Sequence, residues 1–219
     1  MYPKAVGRSL AALAVILVGL IVVRWHQWGG LAVDHWVAAR LTPVAGWLLT
    51  GWLRHVTDPW YVLVVAWLLA LRHELAGRRR RALALVVPVV AALAVTELVL
   101  KPGVGARATS GTWTFPSGNV TGGFALLATV YWVEGRHGLR TRRRAAAVVG
   151  LAVVVGLSSF ALVANRTHFF TDAVGAVCVG VGVPLALLAR RQGPSRLPKD
   201  GVEISRPTGA KSWSSRYSE

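Results

Sequence analysis

Six apolar stretches, five of them uncharged, are separated by short polar segments and constrain this chain more than any other feature. They cover 9–23, 60–71, 82–100, 119–133, 145–165 and 173–189, and Glu97 is the single charge inside the third stretch. A helix needs about 20 apolar residues to cross a bilayer, and flanking tryptophan or arginine can extend a shorter stretch. The pattern predicts an all-α fold, a bundle of six transmembrane helices over residues 1–191. We expect the polar tail, 192–219, to be disordered and cytoplasmic.

The basic residues predict the orientation of this bundle. Lysine and arginine total 25 against 9 acidic residues, a net charge of +16, and 19 of the 25 fall on one side of the predicted topology. Basic loops stay in the cytoplasm, so both termini are expected inside, and the chain is expected in the cell membrane. The alanine, valine and arginine bias is typical of a GC-rich bacterial genome. Because the basic clusters fall where topology requires them, no nucleic-acid partner is expected.

Two segments near the N-terminus each allow a second interpretation. The first stretch is followed by Arg24 and Trp25, with no small-x-small cleavage site, which favours an uncleaved helix over a signal peptide. The apolar segment 41–53 has the composition of a seventh span, but a seventh span would reverse the side of the later arginine clusters. We therefore expect short interfacial helices in the first outer loop, carrying Trp36, Trp47 and Trp52.

Polar residues on the predicted outer side suggest an anion site. Pro116, Ser117 and Gly118 precede the fourth helix. A Ser-Gly turn at a helix N-terminus offers backbone N–H donors and the positive end of the helix dipole, which together favour phosphate. Lys101 and Arg107 in the same loop supply further positive charge. The simpler alternative is that Ser117 only caps the helix and Lys101 only reaches toward the interface.

A histidine and an aspartate lie on the same side, before the sixth helix. His168 and Asp172 are four residues apart, so they share a face if the helix begins near His168. A carboxylate that binds one imidazole nitrogen orients the other as nucleophile or base. The alternative is an interfacial histidine beside a helix-capping acid, although an acid at the start of a membrane helix is costly.

Taken in order, these residues resemble the type-2 phosphatidic acid phosphatase family of membrane lipid phosphatases. The resemblance covers about residues 5 to 190 and consists of a lysine and an arginine, then Pro-Ser-Gly, then His-x-x-x-Asp on six helices. It implies hydrolysis of a lipid phosphate or diphosphate without metal or cofactor. It further implies that His168 forms a phosphohistidine, that Asp172 orients it, and that other side chains and amides hold the phosphate. These phosphate ligands are Lys101, Arg107, Ser117 and Gly118.

Three departures from the family pattern affect the chemistry. Asn119 stands where the family has the histidine that protonates the leaving group, and asparagine has no titratable proton to give. Ala161 and Leu162 stand where the family has Ser-Arg, and Arg166 is a candidate substitute from a different backbone position. The lysine-to-arginine spacing is one residue shorter than in the family, and Ala108 replaces its proline.

Two functions of different classes follow, with a third as a minor alternative. The first is a phosphatase acting at the outer leaflet, weakened or inactivated at Asn119 and favouring polyprenyl diphosphates, whose leaving phosphate needs no proton. The second is a catalytically silent, or engineered-inactive, protein that binds phosphorylated lipids. A transporter would use Glu97 inside the membrane, but an i, i+4 pair between Glu97 and Lys101 is the simpler expectation. The single cysteine, Cys178, excludes an internal disulfide and a cysteine-based zinc site.

Overall fold

The structure is a computed structural model that describes residues 3–27, 29–42, 51–106, 111–135 and 142–190. Helix makes up 82% of the described residues and no strand occurs among them, which confirms the all-α class. Four features named from the sequence lie outside the described residues: Arg107, Ala108, Trp47 and the tail 192–219.

Seven helices organise the described part of the chain, and six of them coincide with the predicted apolar stretches. A 3₁₀ turn, Leu53–His55, lies just before the third of these helices. The fourth helix continues through a π-helical turn, Val95–Leu100, into a last α-helical turn at Lys101–Val104. The helices are α1 Pro3–Arg24, α2 Ala32–Leu41, α3 Pro59–Leu75, α4 Arg79–Val104, α5 Gly118–Gly135, α6 Arg142–Ala164 and α7 Phe170–Arg190.

Four of these helices, α1, α4, α6 and α7, are long and apolar enough to cross a membrane, which indicates a membrane protein. The other two long helices fall short of that standard. Helix α3 has 17 residues. Helix α5 has 18, but it carries Asn119 and Thr121 near its start and Glu134 at its end.

Helix α5 packs against α7 at the centre of the bundle, and one glycine permits the close approach. A Cβ at Gly180 would lie 2.6 Å from the carbonyl oxygen of Thr121 in α5, far inside van der Waals contact. Ala125 and Leu126 of α5 also join a buried cluster with Val62 of α3 and Val89 of α4. Helix α5 is therefore the central element, and its N-terminus is fixed by neighbours on several sides.

The short helix α2 lies across the ends of α6 and α7, anchored by a buried aspartate. Asp34 accepts hydrogen bonds from the backbone N–H and the hydroxyl of Thr171, at 2.8 and 2.9 Å. Thr42, just after α2, donates to the carbonyl of Ala164 at 3.3 Å. A short helix and the 3₁₀ turn thus occupy the first loop, where short helices were predicted, while residues 43–50 lie outside the described residues.

Candidate functional site

The site is built around the N-terminus of α5, where Ser117 caps the helix. Its Oγ accepts from the N–H of Val120 at 3.5 Å, a long contact in the usual N-cap arrangement. Its own backbone N–H donates to the carbonyl of Asp172 at 3.3 Å. The capping role is therefore real, and the same residue connects the start of α5 to the start of α7.

Gly118 brings α4 to the same point. A Cβ there would collide with the Glu97 carboxylate and lie 3.5 Å from Lys101 Nζ, so a larger residue would have to displace that carboxylate. Lys101 Nζ donates to both Glu97 oxygens, at 2.7 and 2.8 Å, which confirms the predicted pair. Glu97 lies in the π-helical turn and Lys101 directly follows it. Single π-helical turns inside α-helices are frequent at functional sites.

Asn119 contacts the segment before α3. Its Nδ2 donates to the backbone carbonyl of Arg54 at 3.3 Å and makes a short hydrogen bond to Asp58 Oδ1. The other oxygen of Asp58 lies 3.0 Å from His55 Nδ1. The three consecutive residues 117–119 therefore each contact a different helix or loop that carries polar side chains.

A tight turn between α6 and α7 presents His168. The N–H of Thr167 donates to the carbonyl of Leu162, and the N–H of Arg166 donates to that of Val163, which is the Schellman pattern. Arg166 occupies the left-handed position, with φ 57°, where glycine is usual. Helix α7 begins at Phe170, two residues later than the predicted start, so His168 lies in the turn before the helix.

His168, Asp172 and Arg24 form a charged cluster beside this turn. His168 Nδ1 lies 3.8 Å from Asp172 Oδ2, longer than a hydrogen bond, and Nδ1 is buried without a hydrogen-bond partner among the described residues. The same oxygen of Asp172 accepts from the N–H of Phe169 at 3.0 Å, which makes Asp172 a cap of its own helix. Its other oxygen lies 3.3 Å from Arg24, and both side chains are 0% exposed.

Arg24 is held on several sides. Its guanidinium donates to the carbonyl of Gly29 at 2.7 Å and to the hydroxyl of Thr114 at 3.5 Å. It also lies 5.0 Å from the centre of the Phe169 ring, within cation–π range. A buried arginine so placed compensates the charge of Asp172, which would otherwise be costly in the interior.

A cavity of about 400 Å³ opens beside His168. Its lining combines residues of α2 with the α6–α7 turn. That turn contributes a cationic side chain, Arg166, and a histidine, His168. The volume matches that of ordinary small-molecule pockets. The lining residues are Gly29, Asp34, His35, Ala38, Thr114, Val163, Arg166, Thr167, His168, Phe169 and Phe170.

The structure thus brings together seven of the predicted residues at one end of the bundle, but not all with equal access. Ser117 and Gly118 are buried, and Ser117 does not line the cavity described for His168. Ala161 and Leu162 are buried in the packing of α6, and neither lines this cavity. The predicted residues at this end are Lys101, Ser117, Gly118, Asn119, Arg166, His168 and Asp172.

Three residues at this end were not among the predicted site residues. Arg24 is separated from Asp172 by 148 positions, and no local pattern announces that contact. His55 and Asp58 have a weak sequence signal, because a histidine and an aspartate three residues apart in a polar loop can form an i, i+3 pair.

Comparisons with known proteins leave the resemblance as a resemblance: no family model, no curated protein and no solved structure matches this chain. Among the residues that the structure describes, no three His, Cys, Asp or Glu side chains are grouped to hold a metal ion.

Proposed function

We propose that this chain is a membrane phosphatase that transfers the phosphoryl group of a lipid phosphate or diphosphate to His168 and then to water. The observation that carries the proposal is the meeting of residues 117–119 with α4, α7 and the segment before α3 at one point. That arrangement places a helix N-terminus, a lysine and a histidine–aspartate pair at one end of the bundle. The helix N-terminus and the lysine can bind a phosphate, and the histidine–aspartate pair can accept the phosphoryl group.

In this proposal His168 is the nucleophile. It lines the cavity, while its Nδ1 faces a carboxylate whose charge Arg24 already compensates. Closure of the 3.8 Å gap when substrate binds would fix the ring and leave Nε2 for attack on phosphorus. Arg166 lines the same cavity and supplies a fork of donors for the phosphate oxygens.

The proposal includes the six-span topology, with α3 and α5 crossing beside the four longer helices. Helix α3 packs against α4 and α5 and leaves apolar side chains such as Trp67 and Leu68 exposed, as a lipid-facing helix would. The central position of α5 shields the polar residues of α5 from lipid. The arginine clusters at 78–81 and 142–144 then lie on the cytoplasmic side, and the site lies on the outer side.

A second cavity fits the hydrocarbon part of a lipid. It measures about 430 Å³, lies between α5, α6 and α7, and is almost entirely apolar. Of its lining residues in α5, Phe124 is the nearest to the N-terminus of that helix. It follows Gly118 by six residues, which is about 9 Å along the helix at 1.5 Å per residue. A chain attached to a phosphate at the site could extend into it. Its lining residues are Phe124, Leu127, Ala128, Tyr131, Val148, Ala152, Val181 and Leu185.

The silent lipid-phosphate binder is the second candidate, and one observation favours it. Asn119 is tied to Asp58 and to the Arg54 carbonyl, so it serves as a structural connector at the position of the family's proton donor.

Phosphate release from decyl phosphate and from a polyprenyl diphosphate, in detergent, separates the two candidates. We expect slow release from the diphosphate and slower release from the monoester. Asn119→His should raise monoester turnover, up to the ceiling of about 10²–10⁴-fold for a positioned general acid. EDTA should leave every rate unchanged, because the resemblance implies a metal-independent reaction. Binding of both lipids with no release from either variant would establish the silent binder.

A further inference from the structure

We propose that His55, held by Asp58, is the proton donor and acceptor for the leaving group in this chain, in the place of a histidine at position 119. This inference rests on the proposed function and concerns the step for which that function lacks a group. The observation behind it is that the side chain at position 119 is directly linked to a histidine–aspartate pair.

The contacts place His55 next to position 119. The 3₁₀ turn that contains His55 packs its backbone on Asn119, through the Arg54 carbonyl at 3.3 Å. Asp58 bridges the two side chains, with Oδ1 on Asn119 and Oδ2 at 3.0 Å from His55 Nδ1. One carboxylate thus holds both the residue at the expected acid position and the histidine beside it.

Hydrogen-bond chemistry fixes the resting form of the His55 ring. An ionised carboxylate only accepts, so Nδ1 carries the proton that it donates to Asp58. Arg54 Nε only donates, at 3.0 Å, so Nε2 presents its lone pair. A phosphate is a stronger acceptor for arginine than a neutral imidazole. Substrate binding would therefore draw Arg54 away and leave Nε2 open to a proton from solvent, which reaches the 52% exposed ring.

The reaction then balances. His168 Nε2 forms a bond to phosphorus, and the bond from phosphorus to the ester oxygen breaks with its electron pair on that oxygen. The proton on His55 Nε2 passes to the oxygen, which leaves as the alcohol, while Asp58 stabilises the charged ring before transfer. In the second step water attacks phosphorus, neutral His55 takes its proton, and the N–P bond breaks to release phosphate. Histidine suits both steps because its ring nitrogen can donate a proton in one step and accept a proton in the other.

The experiment uses two substrates that differ in their need for a proton. Decyl phosphate must expel an alkoxide, whereas 4-nitrophenyl phosphate expels a stable phenolate unaided. With the full chain in detergent, His55→Ala should lower decyl phosphate turnover by about 10²-fold or more and 4-nitrophenyl phosphate turnover by less than about threefold. Asn119→His should restore decyl phosphate turnover in the His55→Ala background, and its gain there should exceed its gain in the unsubstituted chain.

The outcomes separate the two proposals. An equal loss on both substrates would mean that His55 only supports the structure, and no loss on decyl phosphate would mean that another group donates the proton. Either result would overturn the role of His55 and leave the phosphatase in place. A failure of the unsubstituted chain and of Asn119→His to cleave even 4-nitrophenyl phosphate would overturn the phosphatase, and this inference with it.

Discussion

Two helix ends in this molecule share one backbone pattern and differ in the residue at its critical position. After α3, the N–H of Arg78 donates to the carbonyl of His73 and that of Gly77 to Glu74, with Gly77 at φ 68°. After α6, the same pattern places Arg166 at φ 57°. A non-glycine residue pays about 1–2 kcal/mol for this conformation. The first turn uses the residue that fits best, and the second keeps a cationic side chain despite the cost.

The histidine–carboxylate pairs near these two turns also differ: one is hydrogen-bonded and the other is not. His73 Nε2 lies 2.8 Å from Glu134, a complete hydrogen bond that ties α3 to α5. His168 Nδ1 lies 3.8 Å from Asp172, whose other oxygen faces Arg24, and a cavity adjoins the ring. The His73–Glu134 pair is a complete hydrogen bond with a structural role. The His168–Asp172 pair is not hydrogen-bonded, and its histidine lines a cavity. Strain and unsatisfied polar atoms concentrated at one end are typical of a functional site.

The largest expected effect separates the two histidines. His168→Asn should lower turnover of a lipid diphosphate by about 10⁴–10⁶-fold, the range for removal of a nucleophile from a catalytic unit. His73→Asn should leave turnover per folded molecule within about threefold, since its pair only ties two helices. Phosphate release measured on equal amounts of folded protein checks both. Similar losses in the two variants would remove the functional distinction between the two ends.

The buried arginine should have the next largest effect. Arg24→Met leaves Asp172 as an unpaired buried charge, which costs about 3–5 kcal/mol of stability. Thermal unfolding in detergent should show this loss, and the double variant Arg24→Met, Asp172→Asn should recover most of it. If the two substitutions simply add, the ion pair is not what holds these residues together. Glu134 is partly exposed and has no need of such a partner.

The contrast between local and distant contacts also decides what the sequence could predict. The Glu97–Lys101 pair and the Ser117 cap can be predicted from the sequence, because both contacts join residues three or four positions apart. The six long helices can be predicted as well, because each corresponds to a continuous apolar run in the sequence. Arg24 with Asp172 and Asn119 with Asp58 lie 148 and 61 positions apart, and such contacts arise only when the helices pack.

The smallest expected effect tests the two turns directly. Arg166→Gly relieves the left-handed strain, and after allowance for the greater backbone freedom of glycine in the unfolded chain it should stabilise the protein by about 1 kcal/mol. Gly77→Ala imposes the same strain on the other turn and should destabilise the protein by about the same amount.

The effect of Arg166→Gly on substrate binding should be opposite to its effect on stability. Loss of the Arg166 donors should raise the KM for a lipid phosphate by about tenfold, the equivalent of one charge-assisted hydrogen bond of about 1.4 kcal/mol, while Gly77→Ala leaves KM unchanged. Thermal unfolding and initial-rate kinetics on the two variants measure both quantities. A stabilised Arg166→Gly variant with unchanged KM would mean that the cationic side chain in this turn does not contact the substrate.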